Sequence, residues 1–143
     1  MNKKEYEEIK ARLNRYRELR GRVERLAEEA ARWNSMAELS APELRQPGGG
    51  RGGHRDLGAI KSSALAIEEE RDHLAAEAME ARRQLQASIT RVNDSTCREL
   101  LEQVYIMGST TRQIADSLGI SEKTVRRRLH KAARMLMDRE ADL

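Results

Sequence analysis

Apolar residues recur at steps of three and four through the first forty positions: Tyr6, Ile9, Leu13, Tyr16, Leu19, Val23, Leu26, Ala30, Trp33 and Ala37. That spacing lays side chains along one face of an α-helix. Asn2 with Glu5 has the form of a capping pair at its start, and Ser40-Ala41-Pro42 breaks it, since a proline disfavours helix in the residue before it. At ~1.5 Å per residue such an arm spans about 50 Å. Its other positions mix Arg and Glu at helical spacing, as in Glu18 with Arg22, which marks a solvated face.

A second stripe runs through Leu57, Ile60, Ala64, Ile67, Leu74, Ala78, Ala81, Leu85, Ile89 and Val92, interrupted at Glu70 and Arg71. Between the stripes lies Gln46-Pro47-Gly48-Gly49-Gly50-Arg51-Gly52-Gly53-His54, too rich in Gly and Pro for regular structure. The pattern predicts a first coiled-coil arm over 1–40, a flexible Gly-rich linker over 41–56 and a second arm over 57–93. Neither arm buries its stripe alone, so the expected fold is a long antiparallel helical hairpin. A parallel dimer built from the first arm is the rival arrangement.

From Asp94 the long stripes give way to three short helices, expected near 96–107, 111–118 and 121–138. Thr96 with Glu99 and Thr110 with Gln113 have capping-box spacing, Gly108 and Gly119 are the breaks, and Ser121 is placed to cap the last helix. The run Thr111-Arg112-Gln113-Ile114-Ala115-Asp116-Ser117-Leu118-Gly119-Ile120-Ser121-Glu122-Lys123-Thr124-Val125 reads as a helix-turn-helix. Ala115 is small where the next helix crosses, Gly119 takes the positive φ of the turn, and Ile114, Leu118, Ile120 and Val125 fill the core. The last helix is expected to bury Val125, Leu129, Ala132, Ala133 and Leu136. The expected fold class is therefore all-α, a hairpin followed by a helix-turn-helix domain over 94–143.

Composition adds to this picture chiefly through where the charge lies. Charged residues form 36% of the chain and aromatics 3%, with no Phe, which suits long helices better than one large core. The net charge is only +3. From Ser121 to Arg134, however, six basic residues (Lys123, Arg126, Arg127, Arg128, Lys131, Arg134) meet one acid, Glu122, whereas the whole of 94–143 has nine basic and eight acidic residues. A basic helix in the major groove neutralises phosphates and can aim Arg and Lys at guanine edges. The expected DNA-binding residues are Thr111 and Arg112 at the start of the second helix, and Ser121, Glu122, Lys123, Thr124, Arg126, Arg127, His130 and Lys131 on the third. Ordinary capping by Thr110 and solvent exposure of Arg112 is the alternative reading of the former pair, and Arg128 and Arg134 have nearby acids as an alternative.

Other chemistry finds little support. His54, His73 and His130 have no second ligand at metal spacing, so no metal and no cofactor are expected. Cys97, the only cysteine, fits inert packing in a reducing compartment. The Gly48–Gly53 run precedes no strand and lacks a Gly-Lys-Ser/Thr ending, so it is no phosphate loop. Arg51 and Arg55 could let the linker touch DNA, though a tether is the simpler reading. No clustered acids accompany a nucleophilic Ser or Tyr, as a recombinase would need, and an enzyme is not expected. With no membrane span and no secretory signal, the expected location is cytoplasmic.

The run from Arg98 to Leu136 resembles region four of the sigma-70 family, in Glu99-Leu100-Leu101, Tyr105-Ile106-Met107-Gly108, Ile114-Ala115, Leu118-Gly119-Ile120-Ser121 and Thr124-Val125-Arg126-Arg127-Arg128-Leu129-His130-Lys131-Ala132. Leu129, four after Val125, is of the sigma type. The resemblance implies reading of double-stranded promoter DNA and contact with RNA polymerase. The layout as a whole is similar to small phage and prophage regulators of late-gene transcription. The family's aromatic-rich promoter-melting helix has no counterpart, which argues against full sigma-factor activity. A homodimer through the arms is an alternative partner. A coiled-coil interaction protein whose basic domain docks on another protein is the alternative function.

Overall fold

The computed structural model describes residues 3–40 and 57–141. The chain is all-α over these residues: α1 (Lys3–Ser40), α2 (Leu57–Thr90), α3 (Ser95–Leu101), a π-helical segment (Glu102–Ile106), α4 (Thr111–Leu118) and α5 (Glu122–Ala141). The Asn2 cap, the Pro42 break and the 41–56 linker expected from the sequence lie outside the described residues. Contacts gather into two compact units, one formed by Met1–Glu18 with Ala78–Leu143 and the other by Leu19–Glu77. The dividing points fall within α1 and α2, at neither the end of an arm nor Asp94.

In the unit Leu19–Glu77, both stripes contribute buried residues. Leu19, Ala30 and Ala37 of α1 and Ile60, Ala64 and Leu74 of α2 are buried, while Val23, Leu26, Trp33 and Ile67 are only half-buried. The segments run antiparallel: Asn34 Nδ2 donates to Glu68 Oε1 at 3.0 Å, and Leu26 and Leu74 line one cleft. Three of the buried side chains are alanines, which cost no rotamer entropy and let helix axes approach. Arg71, at the interruption of the second stripe, is paired with its neighbour Asp72 at 3.0 Å. Such exposed pairs contribute little to stability.

In the other unit, α5 packs on both α3 and α4. Val125, Leu129, Ala132, Ala133 and Leu136 are all buried, as their spacing predicts. They meet Cys97, Leu100 and Leu101 of α3 and Ile114 and Ala115 of α4, also buried. Ile9 and Leu13 at the start of α1 and Leu85 of α2 are buried as well, lining a cleft with Leu136 of α5. The end of α2 is tied to α3 by Arg98, whose Nη1 donates to the Val92 carbonyl at 2.7 Å. That carbonyl is one of the orphan acceptors left just past a helix end.

Two expectations are corrected here. The first helix of this region starts at Ser95, not Thr96, and its cap is Asp94: extended at φ −87° and ψ 115°, it accepts from Thr96 N at 2.9 Å and Cys97 N at 3.2 Å. The carboxylate, two residues earlier than Thr96, is the stronger acceptor for a positive helix end. Leu118, placed in the core by its spacing, is 53% exposed. It is the last residue of α4, and the chain turns away at Gly119 before another element covers it.

The Asp94 cap also makes stability depend on pH. The backbone hydrogen bond from Cys97, followed by that from Thr96 and the charge of Lys131, hold this carboxyl below its ordinary 3.8 in spite of some desolvation. A carboxyl whose pKa is lowered by folding stabilises fully above the unfolded value and loses that contribution as pH falls through the folded one. Thermal unfolding should therefore show an acid limb below about pH 4 that is flatter in Asp94→Asn. An identical limb in the variant would assign the acid sensitivity elsewhere.

Candidate nucleic-acid interface

The turn between α4 and α5 is built entirely from local signals. Thr110 Oγ1 accepts from Gln113 N at 3.1 Å while Gln113 Oε1 accepts from Thr110 N at 2.8 Å, the reciprocal capping box its spacing predicts. At the far end of α4, Gly119 takes φ 68°, and Ile120 N reaches back to the Ala115 carbonyl at 3.1 Å. A left-handed residue followed by this backward bond is the usual glycine stop of a helix. Ser121 then caps α5: its Oγ accepts from Thr124 N at 3.1 Å and pairs with Thr124 Oγ1 at 2.9 Å. Only Gly119, Ile120 and Ser121 separate the two helices, so α5 is held against α4 through Ile114, Ala115 and Val125.

With one face of α5 buried, its charges stand on the other. Glu122, Lys123, Arg126, Arg127, Arg128, His130, Lys131 and Arg134 are exposed, and so are Arg112 and Ser121. Thr124 and Thr111 are half-buried, and Thr124 is engaged in the cap. Lys123, Arg126, Arg127, His130 and Arg134 occupy one side, at the i, i+3 and i+4 spacings that bring side chains together. Lys131 lies toward Asp94, whose carboxylate it helps hold ionised. His130 is not isolated: its ring stacks on Tyr6 of α1, with centroids 4.3 Å apart and planes tilted by 37°. Lys10 Nζ stands 5.7 Å from the same Tyr6 ring.

The sequence expectations missed two features behind this surface. The helix expected over 96–107 changes at Glu102 into a π-helical segment, with Met107 N bonded to the Glu102 carbonyl at 2.9 Å and Ser109 N to that of Gln103 at 2.8 Å. Gly108, at φ 80°, permits the second of these. Three successive side chains, Val104, Tyr105 and Ile106, are buried in it. That run of apolar residues is the only trace of the segment in the sequence. Gln86 Nε2 of α2 donates to Glu102 Oε1 at 3.1 Å, at the start of the segment. The second missed feature is the α1 contribution, for which the stripe through Tyr6 gave no signal of its partner.

Burial pushes the Tyr105 hydroxyl above its ordinary range, with the nearby Tyr6 adding to the effect and Arg17 opposing it. Burial likewise pushes up the Cys97 thiol, a state in which it is a poor nucleophile. Among the described residues no cluster of three or more His, Cys, Asp or Glu side chains could hold a metal ion, and no helix is long and apolar enough to cross a membrane.

The family DUF1492, described as a protein of unknown function, matches residues 38–137, which take in all of α2 to α4 and most of α5. The chain belongs to that family. No curated protein and no solved structure matches it. The DUF1492 match contains every residue of the basic α5 surface, whereas Tyr6 and Lys10 precede it.

Proposed function

We propose that the chain is a sequence-specific, double-stranded DNA-binding transcription regulator of bacterial or phage kind, acting in the cytoplasm. In this reading α4 and α5 form a helix-turn-helix and α5 enters the major groove. One observation carries it: α5 is pinned by a fully buried apolar face, and its opposite side presents Lys123, Arg126 and Arg127 together without an intervening acid. Glu122, at the start of the same helix, is suited to accept from a cytosine amine, and Thr111 and Arg112 to touch phosphate from α4. The resemblance to sigma region four supports promoter DNA as the target and RNA polymerase as a partner. It does not call for catalysis.

Full-length protein mixed with a random-sequence duplex should bind at low salt and release steeply as salt rises, because each phosphate neutralised contributes about 0.9 to the log–log slope. A chain that binds no duplex at low salt, or binds it without salt dependence, would overturn this reading. A protein-docking role for the basic helix is favoured by that outcome together with capture of RNA polymerase. Met107 and Leu118, exposed apolar residues flanking α4, support such a contact.

A further inference from the structure

The stack of Tyr6 on His130 brings the beginning of α1 beside the exposed side of α5. What α1 carries there is cationic. Lys3, Lys10 and Arg17 are spaced by seven, two helical turns apart, and so share one flank of α1. All three are exposed. Lys10 is on the Tyr6 side, its ammonium 5.7 Å from that ring. Arg17, two turns after Lys10, continues the same flank. The same spacing puts one acid, Glu7, and one amide, Asn14, on this flank, and Asn14 Oδ1 accepts from Arg17 at 3.4 Å. On α5, His130 has Arg126, Arg127 and Arg134 as its i−4, i−3 and i+4 neighbours, all exposed.

We infer that the start of α1 is part of the DNA-binding surface: Lys3, Lys10 and Arg17 form a row that takes phosphates of the same duplex read by α5. The inference rests on the proposed DNA-binding role and deepens it. Duplex DNA presents a negative charge about every 1.7 Å along its axis, so a cation row bordering a groove-bound helix meets backbone wherever the strands pass it. The row carries no groups aimed at base edges from within the groove. Its contribution is affinity and orientation, not sequence preference. The contact of Tyr6 with His130 places the row beside the reading helix. His130 on this account is a positioning residue, not a base contact.

The test is a salt titration of the full-length chain on a random-sequence duplex, comparing wild type with the triple variant Lys3→Ala/Lys10→Ala/Arg17→Ala. The triple variant should have a slope shallower by about 0.9 for each phosphate it no longer neutralises, up to nearly three units. Lys10→Ala alone should make the slope shallower by about 0.9. The matched control Lys4→Ala/Arg15→Ala removes exposed cations from the opposite flank of α1 and should leave the slope unchanged. Melting curves identical to wild type identify the effect as electrostatic, since none of the substituted residues is buried. An unchanged slope in the triple variant, or an equal change in the control, overturns the inference and leaves the DNA-binding role standing. Tighter binding by the triple variant overturns it as well, because α1 would then screen α5. Absence of duplex binding by the wild type overturns the role itself, and this inference with it.

Discussion

Leu13→Ala should destabilise the compact unit that holds α5 by about 2 to 5 kcal/mol, although a long stretch of chain separates the two. Leu13 is 1% exposed and lines the cleft formed with Ala81, Leu85 and Leu136. Truncation removes its buried methyl groups and enlarges a void that the surrounding helices cannot collapse to fill. Against a typical total stability of about 5 to 15 kcal/mol, such a loss is large. It should appear in urea unfolding as a lower midpoint with an unchanged slope. Duplex binding should fail at the temperature where the variant unfolds. A shift of under about 0.5 kcal/mol would mean that the first turns of α1 are peripheral to this unit.

Removing both Arg126 and Arg127 should produce the largest functional loss. Each is exposed on the side of α5 that faces away from the core, so neither substitution costs packing. A bidentate contact to guanine is worth about 1 to 3 kcal/mol and fixes one base of the site. Two independent contacts would together lower specific affinity by about one to four orders of magnitude, with relaxed preference at two positions. An arginine that touches only phosphate gives a different signature: weaker binding to all sequences and a salt slope lower by about one. Selection of bound sites from a random pool, repeated with each single variant, separates the two. Wild-type binding by the double variant at all salt concentrations would remove α5 from the groove.

The elements that were legible in the sequence are those fixed by neighbours in the chain. The buried face of α5 follows from Val125, Leu129, Ala132, Ala133 and Leu136 falling at helical steps amid charges. The Thr110–Gln113 box and the Ser121 cap need only side chains that reach three residues along. Where two local signals compete, pattern alone does not choose between them, and Asp94 prevailed over Thr96 because a carboxylate in extended backbone meets two amides at once. Leu118 has the correct spacing for the core but stands on the last turn, where coverage depends on the next element. The union of α1 with the α5 unit was not legible at all. One continuous stripe from Ile9 to Ala37 serves two compact units, and periodicity does not mark where its partner changes.

The π-helical segment has a bearing on which chain lengths this family member can tolerate. Its i→i+5 bond, from Met107 N to the Glu102 carbonyl, accommodates one residue beyond regular α-helix, a phase step of about 100° taken up within the segment. Upstream, Cys97, Leu100 and Leu101 are buried at regular α spacing, which Val104 continues, while the extra residue lets Tyr105 and Ile106 be buried beside it. Deleting Gln103 would remove the extra residue and let the helix run unbroken, with Tyr105 then seven residues after Cys97 and still facing the core. A change of one residue in length is therefore absorbed at this position, whereas the same deletion inside a regular helix turns all that follows by about 100°.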